Sequence, residues 1–399
     1  MSFKIGNEYW TNYSQNSQVE YKNRCITSPF SRKFIEVLAS NINLISIDLE
    51  GCIFQSDFTG NLLRVVTKLQ TLSMKCAKFN ASEALQFIDA IATNTSVTSL
   101  SLDTCNFEDD SPALITALIA TNTALKTLNL SYGRINGIHF AKTFASNFTL
   151  SSIDLTGTHM SDAAIKFLAV SLKTNQSLET LNLAANHIFN NGAIALANAL
   201  KYNTVLTTLN LENNNIGFEG AGAFYFATAL RTLNLTGNEI RAEGAIRLLK
   251  ANTSLTSLSL LACRLTDDAG GFIQVLESNT TLTSLNLSFT DINIANVLPL
   301  IRANTTLTTL GLRDQMLNIS NKSFLDLLTN LQINPSITSI NTPSQKRQQY
   351  EINIITHRNR YNQKRRFCTL FRLLYKSAIA FPIERTIINR RVMKELSDD

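Results

Sequence analysis

One apolar spacing recurs along most of the chain and limits the folds that it can adopt. Leu178, Leu181 and Leu183 lie at the spacing LxxLxL, which predicts a short strand with one buried side. After a turn, the apolar residues of 193–200 recur at i, i+3, i+4 and i+7, which predicts a helix. One strand–turn–helix unit cannot bury its own apolar face, so the unit requires copies on both sides.

The copies are present along most of the sequence. We call the first apolar residue of each LxxLxL segment the anchor of its repeat, and successive anchors lie 24–30 residues apart. The twelve anchors are Leu44, Leu69, Val97, Leu125, Leu150, Leu178, Leu206, Leu230, Leu255, Leu282, Leu307 and Ile337. The series predicts an α/β solenoid over residues 41–342, with a parallel sheet on its concave side and helices on its convex side.

An asparagine stands three residues before ten of the twelve anchors. We attribute it to the tolerance of asparagine for left-handed backbone at the point where a helix passes into a strand. The exceptions are the repeats anchored at Leu69 and at Leu230, and Ala227 takes the place of the asparagine in the second of them.

The repeat resembles the leucine-rich repeat of the ribonuclease-inhibitor type. The resemblance covers residues 41–342 and rests on the interval, on Asn or Cys after the strand and on the helix in each return. This class includes the repeat regions of NOD-like receptors and Ran GTPase-activating proteins, and it implies a horseshoe-shaped solenoid. The lightly charged, Asn- and Thr-rich style is similar to leucine-rich effectors that Legionella injects into host cells. The resemblance implies binding of a macromolecule through the concave face or its edges, and the fold does not name the partner.

The cysteines follow the repeat instead of forming a disulfide framework. Cys52, Cys105 and Cys263 each lie eight residues after an anchor, where the repeat anchored at Leu178 has Asn186. The resemblance implies that this side chain bonds backbone groups in the turn. Such cysteines fit a reducing cytosol.

Charge and apolar content indicate the compartment and the class of partner. Residues 344–399 hold 13 Lys+Arg against 5 Asp+Glu, so the other 343 residues sum to −2 of the total charge of +6. We therefore expect no nucleic-acid surface on the repeats. No apolar run reaches the ~18 residues of a membrane span, and the N-terminus lacks an apolar signal region. We expect a cytoplasmic protein or, for an effector, entry into a host cell without a cleaved signal peptide.

The two ends depart from the repeat. Residues 1–40 are interpreted as an N-terminal cap, a half-repeat whose helix carries Phe34, Ile35 and Leu38. Residues 343–399 form a basic tail with helices predicted over 367–381 and 383–396. The tail has three interpretations: a cap on the open end of the solenoid, a basic element for anionic membranes, or a partner-binding or secretion address. Its arginines are candidates for membrane or partner contact: Arg358, Arg360, Arg365, Arg366, Arg390 and Arg391.

Equivalent residues of successive strands should form columns across the concave face, because neighbouring strands lie about 4.8 Å apart. Small polar residues fill the columns two and four residues after the anchors, and ladders between strands explain them. The positions six and seven residues after the anchors vary more and should be exposed to solvent. Five of them are candidate contacts for a protein partner: Tyr132, Glu212, Leu261, Phe289 and Arg313. Ordinary scattered surface residues are the alternative.

The sequence shows no catalytic motif, and we expect no enzyme activity, no cofactor and no metal site. His159 and His187 occupy the same repeat position and should be neighbours, but two imidazoles without further ligands predict a surface pair. We therefore predict a monomeric scaffold that binds a protein partner. The alternative is a regulator of enzyme activity such as a leucine-rich-repeat GTPase-activating protein, although no residue here can be assigned as its catalytic arginine.

Overall fold

The computed structural model describes residues 16–26, 28–54, 58–107, 111–313 and 321–341, together with residues 352, 355, 356, 359 and 360. The helices predicted over residues 367–396 lie outside this part of the chain, as do Arg358, Arg365, Arg366, Arg390 and Arg391.

Short strands and helices alternate in the described residues. The strands are β1 Gln18–Glu20, β2 Cys25–Ile26, β3 Ser46–Asp48, β4 Ile53–Phe54, β5 Thr71–Ser73, β6 Lys78–Phe79, β7 Ser99–Ser101, β8 Thr127–Asn129, β9 Ser152–Asp154, β10 Thr180–Asn182, β11 Thr208–Asn210, β12 Thr232–Asn234, β13 Ser257–Ser259, β14 Ser284–Asn286, β15 Thr309–Gly311 and β16 Ser339–Asn341. The helices are α1 Ser28–Ser40, α2 Phe58–Val65, α3 Ala81–Thr93, α4 Ser111–Thr121, α5 Gly137–Phe144, α6 Asp162–Leu172, α7 Asn190–Leu200, α8 Phe218–Gly222, α9 Arg241–Ala251, α10 Ala269–Ser278, α11 Ile294–Ala303 and α12 Asn321–Ile333. A short 3-10 helix, Ala223–Phe226, follows α8.

The strands that follow the anchors form one long parallel sheet in chain order. This sheet has thirteen strands among the described residues, β1, β3, β5 and β7 to β16, while β2, β4 and β6 form a small second sheet. The register places equal repeat positions opposite each other, as with Leu181 and Leu209. Each repeat adds one strand of ~4.8 Å spacing on one side and one helix of ~10 Å diameter on the other, so the sheet side is the concave one.

The anchor series correctly predicts the core. Leu181 and Leu183 are 1% and 0% exposed, as the spacing requires. Buried apolar side chains of this kind continue from Val19 in β1 to Ile352 in the tail, so the repeats share one unbroken core. None of the helices in the described part of the chain is both long and apolar enough to cross a membrane.

The asparagine that stands before ten of the anchors links neighbouring repeats through its side chain. Asn203 Nδ2 donates to the carbonyl oxygens of Leu172 at 2.7 Å and Asn175 at 3.0 Å. Its Oδ1 accepts the backbone N–H groups of Val205 at 2.9 Å and Leu206 at 2.7 Å. The amide therefore satisfies four backbone groups at a buried helix–strand junction.

Our explanation of this asparagine by left-handed backbone is wrong. At Asn94, Asn252, Asn279 and Asn304, φ lies between −79° and −72° and ψ between 123° and 130°, which is extended backbone. Asparagine is selected here because one side chain must donate and accept at the same time.

The repeat with Ala227 in place of the asparagine is also the shortest. Its helix α8 has five residues, and the 3-10 helix Ala223–Phe226 carries the chain to Ala227. Ser254 Oγ donates to the Ala227 carbonyl oxygen at 2.8 Å, so a hydroxyl of the next repeat satisfies this carbonyl.

Both ends continue the repeat further than the sequence indicates. At the N-terminal end, β1 pairs with β3 in the large sheet, so the expected half-repeat has a strand as well as the helix α1. At the C-terminal end, Asn359 Nδ2 donates to the carbonyl oxygens of Leu331 at 3.2 Å and Asn334 at 3.3 Å. Asn359 thereby repeats the bonding of the junction asparagines. Ile352 is also buried and belongs to the same hydrophobic core, so these tail residues cover the last repeat.

Candidate functional site

We name three columns that run along the sheet side. The strand columns are the residues two and four after the anchors, the edge column is the residues six after, and the turn column is the residues seven after. Because the register aligns equal repeat positions, each column is a continuous row in space.

Polar side chains of the strand columns bond to the fold itself. In β10, Leu181 is buried while Thr180 and Asn182 are partly exposed on the concave face. Asn182 Oδ1 accepts the Ala184 N–H at 3.1 Å, and its Nδ2 donates to Asp154 Oδ2 at 3.1 Å. The same bond to the N–H two residues on is made by Asn129, Asp154, Asn210, Asn234 and Asn286. This bonding supports the structural explanation of these columns.

Every described residue of the turn column has left-handed backbone. Their φ values lie between 52° and 68° in Gly51, Cys76, Thr104, Tyr132, Gly157, Ala185, Asn213, Gly237, Ala262 and Phe289. Glycine adopts this conformation without strain and asparagine is enriched in it, whereas it is unfavourable for bulky side chains. Tyr132 and Phe289 are therefore exceptions among the residues that occupy this column.

Tyr132 lies in solvent on top of the next repeat. Its side chain is 60% exposed. The backbone N–H of Tyr132 donates to the Thr156 carbonyl oxygen at 2.6 Å, which fixes the turn. A Cβ atom on Gly157 would lie 2.5 Å from Cδ1 of the ring, so the ring rests directly on that glycine. Gly157 thus leaves room for a flat aromatic surface that faces outward.

Phe289 and Arg313 meet at the C-terminal part of the edge. The Arg313 guanidinium carbon lies 5.8 Å from the centroid of the Phe289 ring, a cation–π contact. The Phe289 N–H donates to the Arg313 carbonyl oxygen at 3.1 Å, and the Arg313 N–H donates to Ser288 Oγ at 3.0 Å. Leu261 is partly exposed in the preceding repeat. Leu261, Phe289 and Arg313 thus come from three successive repeats, which we call the C-terminal group.

Glu212 lies between Tyr132 and the C-terminal group along the chain and is bonded within the sheet. Its carboxylate accepts from Asn234 Nδ2 at 3.1 Å and from Asn213 Nδ2 at 3.4 Å. Part of its hydrogen-bonding capacity is therefore used by the fold, in contrast to the aromatic side chains.

Our expectation that the whole edge column is exposed to solvent is wrong for its small residues. Ser131, Ala184, Thr236 and Ser288 are buried. The Thr236 hydroxyl donates to Asn234 Oδ1 at 2.6 Å, which shows that a small side chain turns back onto the strand column. Glu212, Leu261 and Arg313 are larger, and each stays at least partly exposed.

The N-terminal end of the same surface carries paired charges. Lys22 Nζ lies 2.7 Å from Asp48 Oδ2, 3.3 Å from Glu50 Oε2 and 3.6 Å from Glu20 Oε2. Partial burial acts to raise the pKa of Asp48, but the hydrogen bonds from Lys22 and Ser73 hold this pKa below its usual value. The hydrogen bonds from Asp48 and Glu50 raise the pKa of Lys22. One lysine against three carboxylates leaves this cluster with a net charge of −2.

The Asn/Cys position eight residues after the anchors is structural. Asn186 Nδ2 donates to the Leu155 carbonyl oxygen at 2.9 Å, and its Oδ1 accepts the Met160 N–H at 2.8 Å. The Cys105 thiol donates to the Met74 carbonyl oxygen at 2.7 Å. Burial raises the pKa of Cys105 and of Cys263 to about 12 and that of Cys52 to about 11. These thiols stay protonated and act as hydrogen-bond donors.

The structure brings His159 and His187 together. Nδ1 of His159 lies 3.3 Å from Nε2 of His187, and the rings stack with centroids 5.5 Å apart. Both residues are exposed, which agrees with the predicted surface pair. Within the part of the chain that the structure describes, no cluster of three or more His, Cys, Asp or Glu residues could hold a metal ion.

One tail arginine of the candidate set can be placed. Arg360 is helical and exposed, directly after the buried Asn359. Its side chain therefore lies at the surface of the C-terminal end of the solenoid.

The repeat geometry agrees with the sequence comparison. The sequence family described as Leucine Rich repeat matches residues 174–197, 202–224, 227–249 and 278–293. These segments contain strands of the large sheet and the returning helices. The fold is a leucine-rich-repeat solenoid. No curated protein matches the sequence.

Among solved structures, an internalin from Listeria monocytogenes is similar to this chain. The two are 20% identical with a TM-score of 0.45, and the match covers 79% of this chain and 90% of the internalin chain.

Proposed function

We propose that this protein is a non-enzymatic scaffold that binds a protein partner through the turn and edge columns of its sheet side. The observation that carries the proposal is the presence of Tyr132 and Phe289 in the left-handed turn column. Left-handed backbone costs a residue with a bulky side chain roughly 1–2 kcal/mol. The Tyr132 and Phe289 side chains are 60% and 40% exposed, so burial in the core does not offset this cost. Strain of this kind in exposed residues is typical of binding sites.

The surface is suited to a protein ligand. Tyr and Arg are enriched among the residues that dominate protein interfaces, and both occur here beside small polar side chains. Tyr132 and Phe289 lie six repeats apart, which is roughly 29 Å along the sheet at the usual strand spacing. That span fits an interface of standard size. Because the hydrogen bonds of the strand columns hold the backbone, binding requires little further ordering.

The proposal extends to the type of repeat and to the setting. The 24–30-residue interval and the helix in nearly every return support the ribonuclease-inhibitor type. The Asn- and Thr-rich style supports a bacterial effector that acts on a protein inside a host cell. The protonated, unpaired thiols at the structural positions suit a reducing compartment.

Single substitutions test the binding surface once a partner has been captured with the wild-type chain. Calorimetry should show that each of Tyr132→Ala, Leu261→Ala, Phe289→Ala and Arg313→Ala weakens binding by about 1–3 kcal/mol. Glu212→Ala should have a smaller effect, because its carboxylate also bonds Asn234. The matched control is Thr104→Ala, an exposed residue of the same turn column. It should retain wild-type affinity.

The same titrations separate this proposal from its rivals. Wild-type affinity in all five variants would place the site elsewhere on the molecule. If the captured partner is a small GTPase whose hydrolysis the chain accelerates, and Arg313→Ala removes that acceleration, the protein is a regulator of enzyme activity instead of a scaffold.

A further inference from the structure

The helix side of the solenoid carries a second surface that the proposed partner site does not use. Exposed aromatic rings and lysines alternate across the helices α5 to α7 and the 3-10 helix. We call this surface the helix-side patch, and it consists of Lys142, Phe167, Lys173, Lys201, Tyr202 and Phe226. It lies opposite the sheet, so it is separate from the turn column.

Each of the three rings in the patch is covered by a lysine from the preceding repeat. Lys142 Nζ lies 4.7 Å from the centroid of the Phe167 ring, and Lys173 Nζ lies 4.6 Å from that of Tyr202. Lys201 Nζ lies 5.0 Å from the Phe226 centroid and 5.7 Å from that of Tyr202. The lysine ammonium groups therefore lie over the faces of the aromatic rings at the surface.

Phe167 of the patch and its neighbour Val170 do not serve the core. Phe167 and Val170 are 40% and 72% exposed and lie on the solvent face of α6, next to Lys166 and Lys173. A helix at the surface ordinarily presents polar residues on this face. Favourable interaction with the helix dipole would explain the lysines near the helix C-termini. It does not explain the exposed phenylalanine and valine.

The charge of the patch has one sign. The helices α5, α6 and α7 contain a single acidic residue, Asp162. Asp162 lies at the N-terminal end of α6, where its Oδ1 accepts the Phe189 N–H at 2.8 Å. The nearest acidic residue of the next helix, Glu219, likewise accepts from Asn190 Nδ2 at 2.9 Å. Within α5 to α7, the helix ends that carry Lys142, Lys173 and Lys201 contain no acidic residue.

We infer that the helix-side patch docks the protein on the surface of an anionic lipid bilayer. Lysine ammonium groups attract acidic headgroups, and aromatic rings with an exposed valine suit the boundary between headgroups and acyl chains. The convex side of a solenoid can approach a flat surface, whereas the concave side cannot. Nucleic acid fits less well, because stacking of bases requires open ring faces and these rings are covered by lysines. Docking in this way leaves the concave side free for a protein partner.

Vesicle binding of the full-length protein tests this inference. The probes are vesicles of phosphatidylcholine alone and of phosphatidylcholine with phosphatidylserine at about 7:3. We expect sedimentation with the second kind only. The variant Lys142→Gln/Lys173→Gln/Lys201→Gln should bind on the order of 100-fold more weakly, since each lysine near the surface contributes about fivefold. The control Lys68→Gln/Lys75→Gln/Lys126→Gln loses the same charge at exposed positions outside the helices and should stay within about threefold of wild type.

A fluorescence measurement reports which side faces the lipid. The chain has one tryptophan, Trp10, so a Trp10→Phe background allows a single new probe. Tyr202→Trp should shift its emission to shorter wavelength on phosphatidylserine vesicles, whereas Tyr132→Trp on the sheet side should not shift.

Four results would overturn the inference. The two lysine triples could bind vesicles equally, or the shift could occur at position 132 and not at position 202. Binding could also survive in the patch triple but vanish in Arg365→Gln/Arg366→Gln, which would assign the membrane contact to the tail. Binding of a single-stranded oligonucleotide through the patch lysines, without vesicle binding, would likewise reject a lipid ligand.

Discussion

The strand columns and the turn column run side by side along one sheet but use their side chains differently. In the strand columns, Asn182 and Asn234 direct their amides to neighbouring backbone and carboxylate groups. In the turn column, Tyr132 and Phe289 extend from left-handed backbone into solvent. Substitution in the first region should therefore reduce stability, whereas substitution in the second should reduce binding. The two kinds of surface therefore differ in whether their side chains already form hydrogen bonds within the fold.

The largest expected effect is on the core beneath both columns. Leu183→Asp places an unpaired charge at a fully buried position and should cost at least about 4 kcal/mol of unfolding free energy. Ala185→Asp, two residues later in the turn column, should change stability by less than about 0.5 kcal/mol, because Asp tolerates left-handed backbone. Urea unfolding measures both values. Equal stability of the two variants would mean that Leu183 is not part of the core.

A buried polar position should have the next largest effect. Asn203→Ala removes four side-chain hydrogen bonds and leaves the Leu172 and Asn175 carbonyl groups without their donor. We expect a loss of about 2–3 kcal/mol in the same unfolding measurement. Asn198→Ala on the exposed face of α7 is the matched control and should be neutral. A neutral Asn203→Ala would show that water replaces the junction asparagine.

The buried thiols give stability a pH dependence in the alkaline range. Burial raises the pKa of Cys52, Cys105 and Cys263 from 9.0 to about 11 or about 12. The contribution of these thiols to the free energy of unfolding is complete below pH 9. It is lost as the pH rises toward their folded-state pKa, by about 1 kcal/mol per thiol at pH 10.

Asn occupies this position in other repeats. Replacing all three cysteines by Asn should therefore reduce the pH dependence of stability between pH 9 and pH 11. Parallel thermal melts across this range compare the variant with wild type. An unchanged slope would assign the alkaline loss to lysines and tyrosines.

The smallest expected effect on stability is at the turn column itself. Tyr132→Gly removes left-handed strain, while glycine loses more chain entropy on folding, so stability should stay constant or rise by up to about 1 kcal/mol. Gly157→Ala should destabilise the wild type by about 1–2 kcal/mol, since its Cβ would meet the Tyr132 ring. In the Tyr132→Gly background the same change should cost less. A double-mutant cycle with no coupling would show that the ring does not rest on Gly157.

Sequence periodicity was sufficient to predict the repeat and its core. The LxxLxL anchors define which side of each strand is buried, and the fixed interval sets the register. Alignment of columns was also predictable, which is why Phe289 and Arg313 were expected on one edge and are in contact. The roles of Asn186 and Cys105 followed from the resemblance, and their hydrogen bonds agree with it.

Backbone conformation at single residues was not predictable from the apolar pattern. Gly51, Gly157 and Gly237 recur seven residues after their anchors and were a signal for left-handed turns. Six other residue identities, at the remaining seven positions of the column, obscured this signal. The helix-side patch was missed for a different reason. Phe167 and Val170 lie off the i, i+3, i+4, i+7 series of Ile165, Leu168, Ala169 and Leu172, so the sequence alone places them on the solvent face, whereas the contact between the Phe167 ring and Lys142 of the preceding repeat required the structure.

The central claim is that the turn-column aromatics are retained for binding and not for folding. The most direct test measures affinity for the captured partner and unfolding free energy on the same Tyr132→Gly/Phe289→Gly protein. We predict unchanged or higher stability together with affinity lowered by at least about 30-fold. Wild-type affinity, or a loss of several kcal/mol in stability, would contradict the claim.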